Sequence, residues 1–473
     1  MKQLRKILFY FFLSLYVFLC PLTILYALGY LYRPGSETGI VKTGVIHLAT
    51  SPSGATVYVG GKRFTGKTPA TLHNLLPGPY PVKIVLRNHR PWSKTVSVES
   101  EKATVFDRIL LTPSSWKHRV LLAGPFREMT ALPDTRLLLL KRGPKVKDLF
   151  LYDWRWQKLR RLLPARSLFG AARVLDHTLM RGSSRILLHV DFRGAEKFLW
   201  LDPRKKGPRV EDVTLLFPAK PRHVEWDPRL KGLIFSVEDQ NLSRLEILTK
   251  SVEPNFLKDL RGFGLFDREV YFLASDRTFR KVDPEGKNEE LLLGDSTLSR
   301  SLFAGKYYQV KGLSKELFVF LGEGGELLAS RLPYRFVEKG VLGMEFEPQG
   351  KRLLLWTSEK VGVLDFSEES GGREIFEKGP GLRWIFEGGR RIEQAFWVYE
   401  GSHIVFREGD RVFLLEGEGS GESSALPLVQ VRDGSSVYYS EESGQLYYLE
   451  HPSGRLASIE ILPSREILPL PEL

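Results

Sequence analysis

The run Gly61-Lys62-Arg63-Phe64-Thr65-Gly66-Lys67-Thr68 satisfies GxxxxGK[ST], the spacing with which backbone amides and a lysine cradle phosphates. That chemistry needs a buried parallel strand before the loop and a helix after it, so that the helix N-terminus faces the anion. Here Thr68 runs into Pro-Ala-Thr-Leu-His-Asn-Leu-Leu-Pro-Gly, too short and too interrupted for such a helix. The expectation is a hairpin, with Gly60-Gly61 as its turn and Thr68-Pro69 opening the next strand; Gly61, Gly66, Lys67 and Thr68 are rejected as a cofactor-binding set. Nine histidines, at 47, 73, 89, 118, 177, 189, 223, 403 and 451, form neither HExxH nor a close pair, so no metal is expected. There is no GxSxG elbow, and the single cysteine, Cys20, sits in an apolar run where it has no histidine to activate it. The acidic pairs Glu289-Glu290 and Glu368-Glu369 fall in apparent loops and read as solvated charges. No catalytic residue and no cofactor are assigned. Two aromatic residues, Tyr58 and Trp92, remain as candidate ligand contacts by stacking on a sugar ring, with core packing as the alternative for each.

The elements around these residues begin with a hydrophobic segment. After MKQLRK, residues 7–32 carry no formal charge over 26 positions. A helix of that length reaches about 39 Å, against roughly 30 Å of hydrocarbon. Tyr10, Tyr26, Tyr30 and Tyr32 lie towards its ends, where an aromatic ring with a polar tip suits the headgroups. A cleaved signal has an apolar core of about 7–15 residues and an Ala-x-Ala site; this run is longer and lacks one. Cys20 follows the bulky Leu19, which argues against a lipidated cysteine. The segment is read as a transmembrane anchor contacting the lipid bilayer through residues 7–32, with residues 1–6 as a tail. Lys2, Arg5 and Lys6 against Arg33 and Lys42 place the N-terminus in the cytoplasm and the rest outside the cell membrane. With its only cysteine in the span, the exported part is expected to fold without disulfides.

After a linker at 33–42, residues 43–113 alternate apolar and polar positions (Val57 and Val59 about Tyr58; Val82, Ile84 and Leu86; Val96 and Val98) with turn residues about every ten. That pattern predicts a small antiparallel sandwich. Ser51-Pro-Ser-Gly-Ala55, Val57-Tyr-Val-Gly-Gly-Lys62, Gly66-Lys-Thr-Pro69, Leu76-Pro-Gly78 with Tyr80, and Arg90-Pro-Trp92 resemble, in order, the motifs of a PEGA domain. Ser53 stands where the family's name motif has Glu, and Asn88-His89 where a Gly-Tyr pair is common. The resemblance implies a β-sandwich of bacterial surface and envelope proteins, in some cases tied to carbohydrate or cell-wall contact, and implies no catalysis.

Residues 114–473 repeat a unit of apolar strand, polar turn and second apolar strand, as in Val224-Glu-Trp226-Asp-Pro228 before Leu233-Ile-Phe235 and Met344-Glu-Phe346-Glu-Pro348 before Leu353-Leu-Leu-Trp356. At roughly 40–50 residues per four-stranded blade, this length makes seven or eight blades. The two units just quoted resemble the hairpins of Tol-system periplasmic propellers and of WD-repeat proteins. The fold class is therefore all-β: one transmembrane helix, a PEGA-type β-sandwich and a seven- or eight-bladed β-propeller, with a sandwich array as the alternative to the propeller.

Net charge is +13, unevenly spread: residues 114–220 hold 23 basic against ten acidic side chains, residues 221–473 hold 32 against 42. Basic clusters occur at Lys141-Arg142, Lys145 and Lys147, at Arg155, Lys158 and Arg160-Arg161 beside Trp154 and Trp156, and at Arg204-Lys205-Lys206. In the cytosol these would suggest nucleic acid; outside the membrane they suggest anionic headgroups or acidic envelope polymers, or a solvated rim. The chain reads as a non-catalytic, membrane-anchored binding or scaffold protein of the bacterial envelope, presenting both modules to an envelope protein or cell-wall glycan and not to nucleic acid. The alternative is an envelope hydrolase or lyase with its site in the propeller channel.

Overall fold

The computed structural model describes residues 2–27, 30–32, 40–164, 166–179, 185–203, 210–217, 219–226, 232–294, 307–315, 317–329, 335–366, 381–417 and 425–463. Among the described residues one α-helix is present, spanning Lys2–Ala27. Its stretch Arg5–Leu25 has 21 residues with a mean hydropathy of 2.2, none of it buried against protein. At 1.5 Å per residue that is about 31 Å, the length of a membrane span; a signal sequence has the same composition. The helix differs at both ends from the uncharged run 7–32. It takes in Lys2–Lys6, all good helix formers, and Ala27 is its last described residue. Tyr30–Tyr32 instead pair antiparallel with Ile40–Lys42.

Two compact units follow from the contacts: one built on residues 1–117 with short C-terminal pieces, the other on residues 118–441 and 446–459. In the first, a sheet ordered Ala70–Leu75, Gly44–Ser51, Ala103–Leu110 faces a sheet ordered Lys62–Lys67, Thr56–Val59, Gly78–Val85, Trp92–Val98. Alternation works as the sequence predicts. Val57, Val82, Ile84, Val96 and Val98 point inward to meet Ile46, Leu48 and Leu72, all nearly inaccessible to solvent.

The second unit contains, among the described residues, eight four-stranded antiparallel blades. Blades 1 to 7 are consecutive: 128–161, 173–212, 223–257, 260–293, 308–338, 343–387 and 392–430. Blade 8 takes Tyr438–Ser440, Gln445–Leu449 and Leu456–Glu460 from the end of the chain, and its outermost strand is His118–Leu122 from the beginning. The pairing of Arg119 with Ser458 and Val120 with Ala457 closes the ring.

Each blade is covered on both faces by its neighbours, so the second strands are continuous apolar runs instead of alternating ones, as in Leu138-Leu-Leu140, Phe318-Val-Phe320 and Ile404-Val-Phe406. Seven shared apolar layers can be traced round the ring; for example Leu139 and Leu151 of blade 1 pack with Ile186 and Leu188 of blade 2, and Tyr447 and Leu449 of blade 8 with Met129 and Leu138 of blade 1. The junction of blades 7 and 8 is bridged by Gln394, which both donates to and accepts from the backbone of Val437, each at 3.0 Å.

One junction is tighter than the rest. The innermost strands of blades 4 and 5 pair directly in parallel, Gly262 with Tyr308 and Phe263 with Gln309. Gly262 and Gly264 make this possible, because a Cβ at either would drive into the carbonyl of Tyr308 or Val310. The ring is pinched at blades 4 and 5.

Candidate functional site

Residues 61–68 form no phosphate loop. Gly60 and Gly61, both at positive φ, turn the chain between Thr56–Val59 and Lys62–Lys67, which pair antiparallel with Tyr58 opposite Arg63. Thr68 is buried, its Oγ1 2.6 Å from Thr50 Oγ1 and 3.0 Å from the Ala55 amide that donates to it. Its hydroxyl is thus consumed in joining strands, and Lys67 is exposed to solvent.

Tyr58 and Trp92 lie on opposite faces of one sheet and build no common site. Trp92 stands opposite the buried Ile84 and packs edge-on against Phe106, ring centroids 5.9 Å apart. It belongs to the sandwich core. Tyr58 stands opposite Lys83 on the outer face. There, with Pro81, Ser93 and Thr95, it lines an open, shallow depression of about 630 Å³.

A second depression, of about 520 Å³, opens on the propeller where the sequence assigned no candidate ligand contact. It lies at the end where the innermost strands begin. Arg222 and His223 enter blade 3, Tyr307 enters blade 5, Val341 and Leu342 enter blade 6, and Glu323–Gly325 form the turn between the second and third strands of blade 5. The pinch between blades 4 and 5 brings these together. Arg222 of blade 3 forms a two-pronged ion pair with Glu323 of blade 5, with Nε donating to Oε1 at 2.7 Å, and its guanidinium lies 5.2 Å from the centre of the Tyr307 ring. The His223 ring is 6.3 Å from that of Tyr307 and 5.6 Å from that of Phe263. Gly325 lets the turn approach, since a Cβ there would press on the backbone of Gly340 and Val341.

The electrostatics of this mouth are those of a hydrogen-bonding site. Tyr307 is 7% exposed, and burial holds its hydroxyl well above the usual phenol range, so it remains a donor. Its Oη leans on the backbone of Phe263 without completing a hydrogen bond. His223 Nε2 is likewise buried without a hydrogen-bond partner, 3.8 Å from Glu225 Oε2. An unsatisfied buried polar group costs about 1–3 kcal/mol. Two behind the wall of one depression, beside an ion pair, would be satisfied by a polar ligand admitted by a small side-chain shift. The only sequence signal was Arg222-His223 beside a strand start, which nothing distinguishes from other polar pairs.

Other charged groups inside the ring are tied to one another. Glu347, nearly fully buried, takes a two-pronged contact from Arg352, whose guanidinium also donates to Gly401 O at 2.7 Å and stacks on Trp397. Glu289 and Glu290, expected as free loop charges, pair instead with Arg280 and Lys281 at 2.7 and 3.0 Å, because the adjacent strand carries those bases in register. Glu368-Glu369 and Arg204-Lys205-Lys206 lie outside the described residues. His403 is buried with Nδ1 2.8 Å from Ser402 Oγ, and burial lowers its pKa to about 4. Among the described residues no three His, Cys, Asp or Glu side chains gather as a metal site.

The PEGA domain family matches residues 43–111. No curated protein sequence matches the chain. Among solved structures, the C-terminal WD40 domain of Sif2 aligns with a TM-score of 0.49 at 10% identity, covering 73% of this chain and 97% of that one. The β-propeller domain of Myceliophteria thermophila Cps50 (Swd1) aligns at 0.42 and 12% identity, covering 73% and 99%. PorZ of Porphyromonas gingivalis, a bacterial surface component of the type-IX secretion system, aligns at 0.39 and 12% identity, covering 70% and 42%. The propeller rests on the strand order and ring closure above, and not on these scores. An apolar N-terminal helix therefore precedes a PEGA domain at residues 43–111, and a β-propeller of eight blades follows it.

Proposed function

We propose that this protein is a membrane-anchored, extracytoplasmic binding or scaffold protein of the bacterial envelope, without catalytic activity, whose propeller mouth at blades 3, 5 and 6 engages a protein or glycan partner. The observation that carries the reading is an open depression whose wall includes His223 and Tyr307, each with a buried polar atom behind that wall, Nε2 and Oη, that completes no hydrogen bond. Arg222 and Glu323 neutralise each other at its rim, which favours a neutral or zwitterionic polar group over a strongly charged one. Anchoring is supported by the Lys2–Ala27 helix, and the cytoplasmic N-terminus by Lys2, Arg5 and Lys6. The binding role gains further support from the way interior charges such as Glu347 and Arg352 are held by each other instead of converging on a reactive position.

The test is capture of partners from detergent-solubilised membranes by the full chain and by Tyr307→Phe, which keeps the ring and removes the hydroxyl. A partner retained by the wild-type protein and weakened about tenfold in Tyr307→Phe supports the reading. Turnover of an envelope polymer by the purified chain, abolished by substitutions on the inner strands, would replace it with a hydrolase or lyase.

A further inference from the structure

We infer that the outer edge of blade 1, the strand Lys158–Arg161 with the preceding turn, is a docking edge for an anionic lipid bilayer; the inference rests on the membrane-anchored reading above. This strand is the outermost of its blade, paired on one side only. Leu159 turns towards the apolar layer shared with blade 8, while Lys158, Arg160 and Arg161 are exposed. The turn before it displays Arg155 and Trp156. Trp156 is 72% exposed, and among the described residues outside the N-terminal helix no other aromatic ring stands out so far. Its neighbour in sequence pattern, Trp154, is buried and stacked beside Tyr447, so the two tryptophans have different roles.

Charge pairing differs along the ring. On blades 4 to 8 several bases have acidic partners: Arg280 with Asp276 and Glu289, Lys360 with Glu387, Arg391 with Glu393 and Asp433, Arg455 with Glu450. On blade 1 Lys141 pairs with Glu128. For Lys158, Arg160 and Arg161 no described carboxylate lies within ion-pair distance. The carboxylate of the turn, Asp153, accepts from the backbone amides of Arg155 and Trp156 at 3.0 and 3.1 Å and stands cross-strand from Lys158, so it offsets one of the three bases. An edge with a surplus of bases and a projecting indole matches phospholipid headgroups, where cations meet phosphate and a tryptophan seats at the interface. Tethering by the N-terminal helix raises the local concentration of the same surface, so weak contacts suffice. The charges also keep an open strand edge from pairing with another chain.

The full chain is reconstituted into vesicles of phosphatidylcholine alone or with phosphatidylglycerol, each containing brominated lipid, and the emission of Trp156 is taken as the difference between the wild-type protein and Trp156→Phe. Flotation of the vesicles reads the anchor separately: a chain that fails to float defeats the anchored reading, whatever Trp156 does. The expected result is a blue-shifted, bromine-quenched Trp156 only with phosphatidylglycerol, released by about 0.5 M salt. In the combined variant Lys158→Glu, Arg160→Glu, Arg161→Glu, the ratio of docked to undocked protein should fall at least about fivefold for each charge removed. Equal Trp156 spectra in the two vesicle types, quenching unchanged in the charge variant, or a blue shift produced by a soluble acidic polysaccharide and not by the anionic vesicles would each overturn the inference.

Discussion

His403→Gln should remove a defined acid sensitivity from the propeller. His403 opens the second strand of blade 7, is 6% exposed, and has Ser402 Oγ at 2.8 Å as the partner of Nδ1. Burial lowers its pKa from 6.5 to about 4. The unfolded chain takes up this proton as pH falls through about 6.5, while the folded chain resists until about 4. The unfolded state therefore binds more protons in that window. The stability is complete above about 6.5 and is lost progressively as pH falls towards 4. At about 1.4 kcal/mol per pH unit, the gap amounts to about 3 kcal/mol. Urea denaturation of the detergent-solubilised full chain, followed by tryptophan emission at pH 7.5 and 4.5, measures it. Carboxylates held low by partners, such as Asp276 and Glu450, act in both proteins and cancel in the comparison. The wild-type protein should lose about 2–3 kcal/mol more than His403→Gln between the two pH values. Parallel losses would refute the reasoning that burial keeps this histidine neutral.

Gly264→Val should separate the innermost strands of blades 4 and 5, because its side chain meets the Val310 carbonyl; thermal melting should show a loss of about 3 kcal/mol or more. Thr68→Val should cost about 1–3 kcal/mol by stranding the Ala55 amide, while Thr50 Oγ1 keeps its hydrogen bond to Pro52 O. Lys67→Ala should change stability by less than about 0.5 kcal/mol, and nucleotide binding lost with it in calorimetry would restore the phosphate-loop reading. Arg352→Met leaves the buried Glu347 without its cation and should cost about 3–5 kcal/mol in chemical denaturation; adding Glu347→Gln should recover part of it.

The repeating hairpins were legible because each is a local event. The turn after Phe346 joins the first and second strands of blade 6, and the apolar runs from Leu233 and Leu353 are second strands buried on both faces; residues 227–231 lie outside the described residues. Residues 431–437 connect blade 7 to blade 8, and the first hairpin of blade 8 is Tyr438–Ser440 with Gln445–Leu449. Closure by His118–Leu122 could not be read at all, since a short strand carries no mark of a partner more than 300 residues away. The hairpin at Gly60-Gly61 was readable from its glycines.

The two candidate ligand contacts show the same limit. Period-two alternation assigns Tyr58 and Trp92 to opposite faces only once the register through Lys83–Ser93 and Ile84–Trp92 is known. The propeller mouth depends on a pinch made by Gly262 and Gly264, and on an ion pair between residues 222 and 323. Neither has a signature in a single sequence. By contrast the basic first half and acidic second half were plain from composition, and on later blades the fold pairs several bases with carboxylates, as Arg280 with Asp276 and Lys360 with Glu387.

The central claim, an anchored protein with both β modules outside the cell membrane, is tested most directly by adding protease to intact spheroplasts and probing for the propeller and for a cytoplasmic control. The account predicts that the propeller is digested while the control survives. A propeller protected until the membrane is lysed would contradict it.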